Sequence, residues 1–156
     1  MYQMILVPID GSPTSDRGLE EAIQLGQLTG AKLRLIHVVD ELSFALSAGY
    51  GAGDTGDIGG VLRAAGEEIL SKAKASVQAR GLEVDTVMND SFSGRVCDLV
   101  LAQASSWGAD LIVLGTHGRR GVGRLFMGSD AESIVRASTI PVLLLRASPE
   151  AEKTDA

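Results

Sequence analysis

A chain of 156 residues, 45% of them apolar, is long enough for one domain with a hydrophobic core of its own. Its formal charge of −6 excludes the nonspecific attraction to nucleic acid or anionic membrane that a basic surface would give, so an anionic ligand needs a local exception. A single cysteine, Cys97, cannot close an internal disulfide, and the opening MYQMILVPID lacks the basic flank, long apolar core and cleavage site of a signal peptide; both features fit a cytoplasmic protein.

The run MILVPI (4–9) is the first of five short stretches rich in Val, Ile and Leu, the composition of strands covered on both faces. Segment 13–29 follows Ser12, has Pro13 in its first turn, spaces Leu19, Ala22, Ile23 and Leu28 as one apolar face and stops at Gly30, so it reads as a helix. AKLRLIHVV (31–39) is the second strand, with His37 expected to be a hydrogen-bonded structural residue. The glycine-rich stretch FALSAGYGAGDTGDIGG (44–60) has no periodicity; it reads either as a lid that orders over a ligand or as plain disorder within the flexible insertion 41–60.

Segment 61–80 carries Leu62, Ala65, Ile69, Ala73 and Val77 at helical spacing and ends at Gly81, and LEVDTVM (82–88) is the third strand. Segment 93–107 spaces Val96, Leu99, Val100, Ala104 and Trp107 as a helix ending at Gly108, with Trp107 expected in the core and Cys97 as a small buried thiol. DLIVLG (110–115) is the fourth strand and runs into GTHGRRGVGRLFMGSD. Segment 129–138 opens with Ser129 and has Glu132 three residues later, the spacing of a capping box. PVLLL (141–145) is the fifth strand, and the polar stretch 147–156 is expected to fray as a disordered tail.

Strands alternating with helices imply parallel pairing and a three-layer α/β/α domain, whose ligand site lies beyond the carboxyl ends of the strands where their order reverses. PIDGS after the first strand and LGTHG after the fourth are the polar or glycine-rich strand ends, so if those strands are neighbours Asp10 and Gly115 face one crevice. The loop after the fourth strand holds five glycines between positions 115 and 128, which allow close approach of backbone amides to an anion, and Arg119, Arg120 and Arg124 supply the local cations. A solvated surface loop remains the competing reading. GRLFMGS lacks the lysine of a Walker loop, and GVG at 121–123 has Phe126 where a dinucleotide fingerprint needs glycine.

Gly115, two residues, Gly118, nine residues, then Gly128 and Ser129 is a spacing that resembles the signature of the universal stress protein family, in its ATP-binding branch. MILVPIDGS, LRLIHVVDE, GADLIVLGTHGRRG and STIPVLLLR are similar to the family's corresponding segments, so that the likeness covers 1–146 outside the insertion. The resemblance implies a Rossmann-like five-stranded parallel sheet in the order 3-2-1-4-5. It implies ATP, with or without Mg2+, as ligand: Asp10 near the adenosine, Pro8 and Ile9 along the wall, Val38 meeting adenine through its backbone, Gly115 at the ribose, and Gly118, Gly128 and Ser129 at the phosphates. His117, inside the glycine loop, can approach phosphate or ribose or merely shape the loop. Asp130 departs from the pattern, because a neutral or hydroxyl residue sits more comfortably beside phosphate. A homodimer through strand 141–146 is implied as well, and an apolar strand at a sheet edge independently favours such pairing.

The expected function is a nucleotide-dependent stress-response binding protein. A slow Mg-dependent ATPase and an interaction module without turnover are the alternatives; no residue is assignable as the base that positions water.

Overall fold

The computed structural model describes residues 1–41, 44, 57–90, 94–116 and 127–146. Strand and helix alternate: β1 Met4–Pro8, α1 Pro13–Thr29, β2 Lys32–Val39, α2 Ile58–Ala79, β3 Val84–Asp90, α3 Val96–Trp107, β4 Leu111–Gly115, α4 Ser129–Ala137 and β5 Val142–Leu145. The strands form one five-stranded sheet in the order β3-β2-β1-β4-β5, with every pair parallel. Alternate residues feed opposite layers. Ile5, Val7, Leu111 and Val113 pack with Leu19, Ile23, Leu70 and Val77 of α1 and α2. Leu6, Ile112 and Leu114 pack with Cys97, Val100, Ala131 and Ile134 of α3 and α4.

Local chemistry starts and stops the helices as the sequence indicates. This holds for the start of α1, where the Oγ of Ser12 accepts from the Ser15 amide at 3.2 Å, and for the ends of α1, α2 and α3, where Gly30, Gly81 and Gly108, at φ 74°, 76° and 76°, make left-handed exits that a side chain would strain. The sheet is pinned at its amino end by Asp110, whose carboxylate accepts from the Gln3 and Met4 amides at 2.8 and 3.0 Å.

Several expectations are corrected. Leu28 is 81% exposed; nine residues beyond Leu19 a helix has turned about half a revolution past the buried face. Trp107 is only half-buried, and the Arg34 guanidinium lies 4.6 Å from its ring centroid, held in turn by Asp85 at 2.6 and 2.8 Å. Helix α2 begins at Ile58 rather than 61, because the Asp57 carboxylate accepts from the Gly60 amide at 2.9 Å and organises a first turn out of residues assigned to the insertion. Strand β3 sits two residues later than expected; Leu82 is still tied to Val77 of α2 at 3.4 Å.

The capping box of α4 does not form. Gly128 is the cap residue and no side chain caps this helix, while Glu132 pairs with Arg136 at 2.8 Å. The reason is tertiary: the Gly128 amide donates to the Thr116 carbonyl at 2.7 Å, which ties the chain to the end of β4 and starts the helix one residue earlier than the box requires. The remainder of the expected lid, 42–43 and 45–56, and the expected disordered tail 147–156 lie outside the described residues.

Candidate functional site

The strand order reverses between β1 and β4, which pair through Ile5–Leu111 and Leu6–Ile112, so the crevice of an open α/β sheet falls beyond their carboxyl ends. Asp10 stands at that end of β1. Its amide donates to the Ser15 hydroxyl at 3.1 Å, and its carboxylate accepts from the Ser12 amide at 2.8 Å. Ser12 Oγ also lies 3.3 Å from the Thr14 hydroxyl. Ser12, Thr14 and Ser15 are all buried; the Ser12 amide holds the Asp10 carboxylate and the Ser15 hydroxyl holds its backbone, which fixes Asp10 at the mouth of the crevice and at the start of α1. Asp16, although exposed at the side of this turn, has its carboxyl raised above the ordinary range by partial desolvation first and by the Asp10 charge second.

On the other side, β4 ends at Gly115. A β-carbon there would lie 2.7 Å from the carbonyl carbon and oxygen of Thr14, and one at Gly18 would lie 3.5 Å from the Gly115 nitrogen. The bare backbone of Gly115 thus lets the first turn of α1 press directly on β4, whereas Gly18 is at ordinary contact distance, and the close approach brings Asp10 and the end of β4 to a common rim. Beyond Gly115, the Thr116 amide donates to Leu145 at 2.8 Å and its carbonyl accepts from Gly128, which delivers the amino end of α4 to the same rim. A helix start without a side-chain cap carries amide donors and the positive end of the helix dipole.

The positions named from the sequence fall into three groups. Asp10, Gly115, Gly128 and Ser129 converge on the reversal point. Pro8 ends β1 and Ile9 follows it, but Ile9 is 5% exposed and belongs to the core, with its amide bonded to the Ile36 carbonyl and its carbonyl to His37, so it backs the crevice rather than lining it; Val38, half-buried, packs toward the α3 layer. His117, Gly118, Arg119, Arg120 and Arg124 lie outside the described residues. Beside the crevice, at the carboxyl ends of β2 and β3, a cleft of about 350 Å³ is lined by Val39, Arg63, Met88, Asn89, Asp90 and Leu99, with Arg63 and Asp90 paired at 2.5 Å.

Sequence reasoning missed two connections. The Thr14–Gly115 contact left a signal, the glycine at 115, but only the fold brings positions 14 and 115 together. His37 is buried as expected, yet its Nδ1 lies 2.8 Å from the Ile9 carbonyl, one residue before Asp10, a link between strands that spacing does not reveal.

The fold is an open, doubly wound α/β domain whose strand order reverses between β1 and β4. The chain matches the description of the universal stress protein family over residues 1–146. It is 33% identical over 152 residues to universal stress protein A homolog 2 of Coxiella burnetii, covering 93% of this chain and 95% of the relative, and 31% identical over 146 residues to a universal stress protein of Methanocaldococcus jannaschii, covering 94% and 83%. This chain belongs to the universal stress protein family. Among solved structures, a protein of that family from Burkholderia pseudomallei superimposes with a TM-score of 0.75 at 28% identity, over 94% of this chain and 97% of its own. Two others share the fold at lower identity: a universal stress protein in complex with cAMP, TM-score 0.65 and 24% identity over 94% and 98% of the two chains, and one from Archaeoglobus fulgidus in complex with dAMP, TM-score 0.66 and 22% identity over 92% and 98%.

Proposed function

We propose that this protein binds ATP at the β1/β4 crevice and serves as a nucleotide-dependent regulatory protein in a stress response. The observation that carries the reading is the convergence of a fixed carboxylate and a helix start without a side-chain cap on one rim at the strand reversal. A carboxylate is an acceptor for ribose hydroxyls, and helix amides are donors for phosphate. Asp10 and the start of α4 therefore fit the two ends of one nucleotide. Related proteins with this fold that hold cAMP and dAMP support the adenine nucleotide class.

In this reading Pro8 and Ile9 shape the wall beside the adenosine, Val38 meets adenine through its backbone, Gly115 keeps the rim narrow at the ribose, and Gly128 with Ser129 faces the phosphates. Gly118, His117, Arg119, Arg120 and Arg124 complete the phosphate side in the segment that connects β4 to α4. Asp130, in the first turn of α4, either reaches Mg2+ through water or points to solvent, where an acid at a helix start is favourable; the reading takes the second. The same reading makes the protein a homodimer through β5, an edge strand whose Pro141 and Leu145 carbonyls are already spent on β4.

Titration calorimetry of nucleotide-stripped protein tests the reading, with Mg-ATP as ligand and adenosine as the phosphate-free comparison. A dissociation constant near micromolar, about −8 kcal/mol, with adenosine much weaker, is the expected result. No heat up to millimolar ATP would leave the crevice as scaffold. Substitution of Gly118 by a bulky residue is expected to abolish triphosphate binding without unfolding the sheet, and unchanged affinity would remove the glycine loop from the site.

A further inference from the structure

His37 is buried in the sheet at 6% exposure, with Nδ1 2.8 Å from the Ile9 carbonyl. A carbonyl only accepts, so Nδ1 carries a proton and donates. Strand β2 already accepts the Ile9 amide at the Ile36 carbonyl, 2.8 Å away; with the histidine, both polar backbone groups of Ile9 are bonded to β2. The next residue is Asp10, whose amide and carboxylate are held by Ser15 and by Ser12. On its other side the ring is set by α2. A β-carbon at Gly66 would lie 2.6 Å from the ring Cδ2 and 3.0 Å from Nε2 and from the Met88 sulfur, so the helix backbone itself closes over the imidazole.

We propose that His37 is a positioning residue for the crevice: its Nδ1–H fixes the Ile9–Asp10 peptide just beyond β1 and so sets where the Asp10 carboxylate points. The consequence for ligand affinity rests on the nucleotide reading above, whereas the consequence for backbone order at Asp10 does not. Three features distinguish this role from core filling. The donor is directional, its acceptor is the peptide adjoining the proposed ligand group, and an apolar side chain of equal volume would leave the Ile9 carbonyl buried without that bond. Asparagine places a side-chain N–H close to where Nδ1 sits, so it keeps the bond while losing the ring; leucine keeps much of the bulk and loses the bond.

The test compares wild type, His37→Asn, His37→Leu and, as a core control, Val77→Ala, a fully buried α2 residue in the same apolar layer. Amide exchange at Asp10 and Ser12 is read by NMR, and Mg-ATP affinity by calorimetry. His37→Leu is expected to speed exchange at both amides about tenfold and to weaken Mg-ATP about tenfold, roughly one directional hydrogen bond. His37→Asn is expected to restore both; Val77→Ala to lower the melting temperature and change neither. Wild-type exchange in His37→Leu, or His37→Asn as impaired as leucine, overturns the proposal. Should the leucine variant fail to fold, long-range ¹H–¹⁵N spectra of the wild-type imidazole decide: a protonated Nδ1 is expected, and a bare Nδ1 overturns the assignment. Wild-type protein that does not bind Mg-ATP defeats the nucleotide reading, and the exchange comparison then decides the role of His37 alone.

Discussion

Two residues show how position turns an ordinary chemistry into a constraint. At Gly115 the missing side chain is demanded by the Thr14 backbone, which stands 2.7 Å from where a β-carbon would be and cannot move like a flexible side chain. Gly115→Ala is expected to cost about 1–3 kcal/mol through overpacking, measured by urea denaturation; a loss near zero would mean that α1 slides freely on β4. Asp85 offers a pH test. The hydrogen bond from Arg34, with the Arg34 and Lys32 charges adding, holds its carboxyl below the ordinary 3.8 despite partial burial. A depressed folded pKa stabilises the protein above the unfolded value and is lost as pH falls through the folded one. Asp85→Asn is therefore expected to destabilise at pH 7 by about 1 kcal/mol or less, since solvent screens a carboxylate that is one-third exposed. The gap to wild type should close as pH falls below 3.8, the ordinary value; a gap that does not change with pH would assign the effect to the placement of Arg34 over Trp107.

The sheet's two ends do different work at the scale of elements. At the amino end Asp110 accepts from the Gln3 and Met4 amides at 2.8 and 3.0 Å and donates its own amide to the Met4 carbonyl at 2.9 Å, pinning β4 in register with β1. At the carboxyl end the same two strands part into α1 and α4 and leave the crevice. Asp110→Ala is expected to lower stability by about 1–2 kcal/mol for two lost hydrogen bonds while leaving Mg-ATP affinity within about twofold, read by denaturation and calorimetry on the same sample. An affinity loss that tracks the stability loss would mean that the crevice is not mechanically separate from the amino end. Helix α4 illustrates the limit of local signals. Ser129 and Glu132 have the letters of a capping box, but the Gly128–Thr116 bond decides where the helix begins.

Strands β3 and β5 are the two edges of the whole sheet. In a parallel ladder successive residues turn their polar groups to opposite sides, and Pro141 and Leu145 face β4; Val142 and Leu144 therefore face outward. Pairing of two copies through β5 is expected to protect the Val142 and Leu144 amides from exchange and to give a dimer in sedimentation at micromolar concentration. A monomer with fast exchange at those amides would show that β5 is covered in some other way. No described helix is long and apolar enough to cross a membrane.

Much of this molecule was decided by sequence alone. The alternation of β-branched runs with 3.6-residue periodicity specifies strands and helices, since each pattern buries an apolar face only in its own geometry, and Ser12, Gly30 and Gly108 punctuate the helices through local backbone chemistry. The spacing from Gly115 to Ser129 was enough to suggest the family. What tertiary structure alone decided are contacts between residues distant in the chain: Gly115 against Thr14, Gly128 on Thr116, Arg34 over Trp107, and His37 on the Ile9 carbonyl. Such contacts depend on strand order and on where each helix lands on the sheet. Those are set by the packing of the whole core, which no local stretch of sequence encodes by itself.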